Sequence, residues 1–242
     1  MRLEGRAALI TGASRGLGLA IARALAEEGA AVTCVARASA ELDAAVAALA
    51  RDGVRALAAP ADVTQASQVA GAVSAAVDAF GRLDIVVLNA GTWLPGTVTE
   101  TPEATWDLLL DLNLKHAYLT LHAALPHLIR QGGGTVIGIA SLGGFVGQPN
   151  SAAYAASKWG LRGLLESVAL SAKPDGIRVS IVSPHNINSA GRVIAPGSPE
   201  RKHAIEPADI AALVAHVCAA PPNVSVGNVS IWPLGAGIVA EG

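Results

Sequence analysis

The stretch from Arg6 to Ala36 restricts the fold most. An apolar run, Ala7-Ala8-Leu9-Ile10, is broken by Gly12, and from Gly16 the residues Leu17, Ile21 and Leu25 recur with helical period until Glu27-Glu28-Gly29 stops them. Ala31 to Ala36 is a second apolar run. Strand, glycine turn, helix and strand make a βαβ unit, whose connection is right-handed. A parallel pair of this kind needs helices over both faces, so the rest of the chain must supply further strands and helices in alternation.

It does. Glu41 to Arg51 reads as a helix stopped by Gly53, Val54 to Ala58 as a strand, and Gln65 to Phe80 as a helix entered through Thr64 and stopped by Gly81. Leu83 to Leu88 is a strand. Thr101-Pro102-Glu103 predicts a long helix with an N-cap threonine and a proline at its first position, running past Asn113 toward Arg130. Thr135 to Ala140, Arg178 to Ser183 and Val226 to Trp232 are strands, separated by helices over Ala153 to Ala172 and Pro207 to Ala219. Seven strands alternating with six helices predict one α/β domain over residues 1–242, a Rossmann-like, doubly wound, seven-stranded parallel sheet. The one long irregular piece, Pro184 to Glu206, leaves the carboxyl end of a strand and is expected to form a substrate lid.

Composition narrows the function. With 52% hydrophobic residues, a formal charge of -2 and no basic cluster, the chain has no electrostatic footprint for nucleic acid or an anionic membrane surface. No apolar run is long enough to span a membrane and the charged start is unlike a signal peptide, which predicts a cytoplasmic protein. Cys34 and Cys218 are expected to be buried, reduced thiols. The spacing of His116, His122 and His127 places no two on one helical face at i+3 or i+4, so no metal site is expected.

Chemistry gathers between Ser141 and Lys158. Tyr154 and Lys158 lie four residues apart in a predicted helix, which puts a phenol and an ammonium on one face. A neighbouring cation pulls a tyrosine toward neutrality, where acid-base catalysis works best. The same spacing also fits an ordinary amphipathic helix in which Tyr154 caps the core and Lys158 points to water. Ser141 ends the preceding strand. A hydroxyl that holds a carbonyl oxygen and an acid that supplies a proton are what carbonyl reduction by hydride requires, the redox step belonging to a nicotinamide.

The turn containing Gly12, Gly16 and Gly18 permits close approach of a pyrophosphate to a helix N-terminus, although its G-x-x-x-G-x-G spacing differs from the general dinucleotide fingerprint and also suits a plain tight turn. About 20 residues on, where an acid would bind the ribose of NAD, the chain has Arg37. Arg37 with Arg15 suits a 2'-phosphate, which favours NADP(H) over NAD(H), although the same pair also fits two solvated surface arginines.

Taken together, Thr11-Gly12-Ala13-Ser14-Arg15-Gly16-Leu17-Gly18, Asp62-Val63, Asn89-Ala90-Gly91, Asn113, Ser141, Tyr154-x-x-x-Lys158 and Pro184 resemble the short-chain dehydrogenase/reductase family over nearly the whole chain. The resemblance implies that Tyr154 is the acid-base residue, Lys158 binds the nicotinamide ribose and lowers the tyrosine pKa, Ser141 polarises the carbonyl and Asn113 supports a proton relay through water. It implies a cofactor cradle of Gly12, Ser14, Arg15, Gly16, Leu17 and Gly18, adenine contacts from Asp62 and Val63, and a floor of Asn89, Ala90 and Gly91. It also implies a homotetramer, or a homodimer, with the helices after Asp107 and Tyr154 as contact surfaces.

The chain departs from that pattern where Pro184 is followed by His185 instead of glycine, which places an imidazole toward the substrate; Ile187 still offers a backbone N–H to the carboxamide, and Ser189 stands where threonine is frequent. Trp93, Leu94, Leu142, Phe145, Gln148 and His185 are candidate pocket walls for a small-molecule ketone or aldehyde, Trp93 and Phe145 suiting core packing equally well; no Arg or Lys stands out as a carboxylate anchor, Arg192 being the nearest option. The last strand is slightly similar to family members acting on 3-hydroxy acids. An NADP(H)-binding regulator without turnover and a non-redox lyase are the competing readings.

Overall fold

The computed structural model describes residues 1–188, 194–195 and 198–234. Seven parallel strands, β1 (Ala7–Thr11), β2 (Ala31–Ala36), β3 (Ala56–Pro60), β4 (Ile85–Leu88), β5 (Gly134–Ile139), β6 (Ile177–Pro184) and β7 (Asn228–Ile231), form one sheet in the order β3-β2-β1-β4-β5-β6-β7. The order turns between β1 and β4, so the Rossmann-like doubly wound sheet has its crevice beyond the carboxyl ends of those two strands.

Helices α1 (Gly16–Glu27), α2 (Ala40–Arg51) and α7 (Pro207–Cys218) cover one face. The other carries α3 (Ala66–Phe80), α4 (Glu103–Leu110), α5 (His116–Arg130) and α6 (Ala152–Ser171). Alternation along each strand divides the core accordingly: Ala8 and Ile10 of β1 pack under α1, whereas Leu9 packs under α3 and α5. Because β1 and β4 are buried on both faces, their sequences read as unbroken apolar runs.

Several predicted boundaries are corrected. Thr64 does not cap α3. Its hydroxyl and N–H both bond the Asp62 carboxylate, at 2.8 and 2.9 Å, and Gln65 takes the N-cap position. Thr101 likewise spends its hydroxyl on the Thr97 carbonyl at 2.7 Å, leaving Pro102 at the N-cap of α4. The long helix is not uniform, since a π-turn over Asp111–Lys115 separates α4 from α5 and has Asn113 at its centre. Both edge strands shift: β3 begins at Ala56 and β7 is confined to Asn228–Ile231, so Trp232 follows it. The described part of the segment after β6 is more regular than expected. Pro184 still belongs to β6, Ile187 pairs with Ile205, and Pro199–His203 forms a 3-10 turn. Ser189 and Arg192 lie outside the described residues.

Candidate active site

Thr11, at the buried end of β1, fixes the glycine turn to β4. Its Oγ1 accepts the backbone N–H groups of Asn89 and Ala90 at 2.9 and 3.0 Å, and Asn89 Nδ2 donates to the Thr11 and Gly12 carbonyls at 2.8 and 3.2 Å. Gly12 has φ +69°, a left-handed conformation that a side chain would strain. At Gly18 a Cβ would run into the Gly12 carbonyl and stand 2.6 Å from Asn89 Nδ2. Helix α1 therefore lies against the turn at a distance that only glycine permits.

Its N-terminus has no side-chain cap and no acid in the first turn. Unpaired N–H groups at a helix start suit an anion, so the cradle fits a dinucleotide pyrophosphate. Ser14 is half-buried at its mouth, Arg15 is exposed, and Leu17 is buried beneath. Arg15 pairs loosely with Glu41 at 3.4 Å, and Arg37 is exposed at the end of β2. Asp62 follows β3. Hydrogen bonds from Thr64, backbone first and then hydroxyl, hold its carboxyl below the usual range, with a smaller contribution from Arg37; the following Val63 is buried.

Next along the sheet edge, the π-turn aims Asn113 inward. Its Oδ1 accepts from Thr92 N–H at 2.8 Å, while Nδ2 donates to the Thr92 carbonyl at 2.9 Å and to Ser157 Oγ at 3.0 Å. Gly91 must be glycine here, since a Cβ would stand 2.6 Å from Asn113 Oδ1 and 3.6 Å from Lys158 Nζ. These contacts join the glycine turn to α6 through Asn89, Ala90 and Gly91.

Tyr154 and Lys158 share the inward face of α6, with Lys158 Nζ 5.9 Å from the centre of the tyrosine ring. Ser141 leaves β5 in extended conformation, accepts Gly143 N–H on Oγ at 3.2 Å and turns its hydroxyl to the Tyr154 phenol. The candidate triad therefore converges. One expectation does not hold: burial pushes the Tyr154 pKa above its ordinary value, and the Ser141 hydrogen bond opposes this only in part. Lys158 does not reverse it because it is itself buried, donates to the Ile139 carbonyl at 3.0 Å, and is pushed down to about 8 by desolvation.

Reading the sequence missed His116. It is fully buried, neither ring nitrogen makes a well-formed hydrogen bond among the described residues, and burial, followed by the Lys158 charge, lowers its pKa to about 3, opposed only weakly by the nearby Leu112 backbone. The available signal was its position three residues after Asn113, on the same helical face.

The candidate wall residues separate. Trp93, half exposed, donates from Nε1 to Ser151 Oγ at 3.3 Å, and Gly96 N–H donates to the Asn150 carbonyl at 2.8 Å, tying the loop after β4 to the start of α6. Leu94 is exposed and Leu142 is buried. Gln148 Oε1 and the Tyr154 ring both face Gly143. Phe145 instead lies under the Arg162 guanidinium, 4.1 Å from ring centre, two turns beyond Tyr154. His185 stacks on Trp232, and Pro184 closes β6 beside it. In the Ile187–Ile205 pairing the Asn186 carbonyl and Asn188 N–H do the bonding, so the Ile187 N–H points to the opposite side. Among the described residues, no three metal-ligating side chains are gathered, and no helix is long and apolar enough to cross a membrane.

The short chain dehydrogenase family model matches residues 6–194. An uncharacterized oxidoreductase of Staphylococcus aureus is 33% identical over 232 residues, covering 96% of this chain and 99% of that one. Among solved structures, a metagenomic short-chain oxidoreductase in complex with NADP is 37% identical, with TM-score 0.84 and coverage of 96% and 99% of the two chains. An alcohol dehydrogenase from the archaeon Thermococcus sibiricus, complexed with 5-hydroxy-NADP, is 30% identical, with TM-score 0.88 and coverage of 95% and 97%. Motifs, sheet order and relatives agree across the chain, which is an oxidoreductase belonging to the short-chain dehydrogenase family.

Proposed function

We propose that this chain is an NADP(H)-dependent reductase of ketones or aldehydes, acting also in the reverse direction. The observation that carries the reading is the convergence of Ser141, Tyr154 and Lys158 at the carboxyl edge, one contact chain away from the glycine turn. Gly12, Gly16, Gly18 and the start of α1 would hold the pyrophosphate, Asp62 and Val63 the adenine, and Lys158 with the Ile187 N–H the nicotinamide end. Arg37 and Arg15, exposed beside that cradle, supply the positive charge a 2'-phosphate requires, in keeping with the NADP forms bound by the two solved relatives.

A nicotinamide bound there would supply the hydride. Ser141 hydrogen-bonds the carbonyl oxygen as charge builds on it, and Tyr154 delivers the proton that makes it a hydroxyl. A raised tyrosine pKa favours the protonated phenol, the form needed for reduction. The Lys158 ammonium lies one helical turn away, and Asn113 keeps Thr92 and Ser157 in place behind it, where water can return the proton. Trp93, Leu142 and Gln148 border a site for a small carbonyl compound. Exposed Trp106 and Tyr118 on α4 and α5, with Trp159 and Leu170 on α6, support assembly into a homotetramer through those helices. Two buried, unbridged cysteines are in keeping with a cytoplasmic setting.

The test is a panel of ketones, aldehydes and alcohols assayed with NADPH/NADP and NADH/NAD by nicotinamide absorbance. NADPH-linked carbonyl reduction is expected. Absence of turnover with either cofactor across the panel contradicts the reading.

A further inference from the structure

At the end of β6 this chain carries a side chain where its family commonly has glycine. The ring of His185 stacks on Trp232, with centroids 5.1 Å apart and planes 16° apart. Two backbone relationships locate it. The β5–β6 register pairs Ile139 with Val182, so continuing by two residues sets Pro184 beside Ser141 and His185 one residue further out. Ile177, Val179 and Ile181 pack under α5 and α6 while Val182 packs under α1, and the same alternation puts His185 on the face that carries Tyr154.

The imidazole is held there. Its backbone N–H donates to the Ile231 carbonyl at 3.0 Å, and Trp232 fixes the ring plane. Nδ1 is sealed from solvent and has no partner among the described residues, while the residue as a whole is part-exposed. Ring hydrogen bonding is thereby left to the Nε2 edge. Burial lowers the His185 pKa, so the ring is neutral at neutral pH and does not anchor a carboxylate by charge. Neighbouring strands lie about 4.8 Å apart and successive residues about 3.3 Å, which brings the Cα atoms of Ser141 and His185 within about 6 Å of each other. One small molecule can meet both side chains.

Building on the reductase reading, we propose that His185 is a specificity-determining residue whose Nε2 edge hydrogen-bonds a second oxygen on the substrate, next to the reacting carbonyl. The preferred substrates are then hydroxyketones, and the plain ketones of the same length are poorer.

The test compares kcat/KM for a ketone and its α-hydroxyketone in wild type, His185→Phe and His185→Gln, with NADPH affinity measured by fluorescence on the same preparations. Phenylalanine keeps the stack on Trp232 and removes the nitrogens. It is expected to cost about tenfold more on the hydroxyketone than on the plain ketone, the share of one neutral hydrogen bond, with NADPH binding as in wild type. Glutamine, which retains a donor, should recover part of the preference. An independent readout is the imidazole NMR signal of His185, which should shift on addition of the matching vicinal diol with NADP. Equal losses on both substrates, no wild-type preference, or a signal that does not move overturns the proposal while turnover persists. No turnover on either substrate instead sinks the reductase reading, and this inference with it.

Discussion

Asn113 grips Thr92 by both backbone groups, accepting its N–H at 2.8 Å and donating to its carbonyl at 2.9 Å. A regular helix would carry residue 113 at a different angle, so the π-turn at Asp111–Lys115 is what directs the amide into the loop after β4. Asn113→Ala strips Thr92 of both partners and Ser157 of a donor. It should lower unfolding free energy by about 2 kcal/mol in urea melts and reduce carbonyl turnover, with helix content unchanged by circular dichroism. Retained stability and retained rate together would show the grip to be incidental.

The glycine turn has less room than any other part of the cradle. Gly18→Ala adds a methyl group where the Gly12 carbonyl and Asn89 Nδ2 already stand. Helix α1 must then move away from the turn, and NADPH affinity should fall at least tenfold in a fluorescence titration. Gly53→Ala is the comparison. Gly53, unlike Gly18, has positive φ but faces open space, so its variant should be modestly less stable and bind NADPH as wild type does.

His116 predicts how stability depends on pH. Its folded pKa of about 3 lies below the ordinary histidine value, so on acidification the unfolded chain takes up the proton first. Its contribution is present above pH 6.5 or so and is lost as pH falls toward 3. Between pH 7.5 and 5.5 the loss amounts to about 1.4 kcal/mol. Denaturant melts of wild type and His116→Leu at both pH values should show that slope in the first and not in the second. Parallel slopes would mean that the buried imidazole finds a partner when protonated.

The opposite edge of the sheet is expected to matter for folding and not for chemistry. Asp84, buried at the start of β4, accepts from Arg82 at 2.6 Å on each oxygen, from Arg6 at 2.8 Å and from Ala7 N–H at 2.9 Å. Burial alone raises its pKa, and these hydrogen bonds more than reverse the effect. Asp84→Ala leaves two half-exposed arginines and a strand N–H without their acceptor. A loss of about 2 to 3 kcal/mol is expected in melts, with kcat and KM unchanged for the folded fraction. A change in KM at constant stability would argue that this edge communicates with the site.

What the sequence disclosed, and what it hid, follows from burial. Strands covered on both faces, such as β1 and β2, show themselves as apolar runs, whereas the edge strands β3 and β7 lack that signal and were displaced by about two residues; the start of β4 also moved by two, from Leu83 to Ile85. Helix starts were misplaced at Thr64 and Thr101 because both hydroxyls are taken by nearer acceptors, Asp62 and the Thr97 carbonyl. Nothing in the residues around Asn113 announces a π-turn. At the site, the residues themselves pointed to Gly12, Ser141, Tyr154 and Lys158, and the family resemblance added Asn89 and Asn113. Spacing was not enough for the direction of the Tyr154 pKa, which depends on desolvation, or to separate a pocket wall from a packing residue at Phe145, which lies under the Arg162 guanidinium.

The central claim is that the Tyr154 phenol supplies the proton at a carbonyl held by Ser141, and the most direct measurement is NADPH oxidation by Tyr154→Phe with a ketone that wild type reduces. Removing one hydroxyl keeps the ring and its packing. Turnover is expected to fall by about 10² to 10⁴ while NADPH binds with wild-type affinity. A rate within a few-fold of wild type would contradict the account.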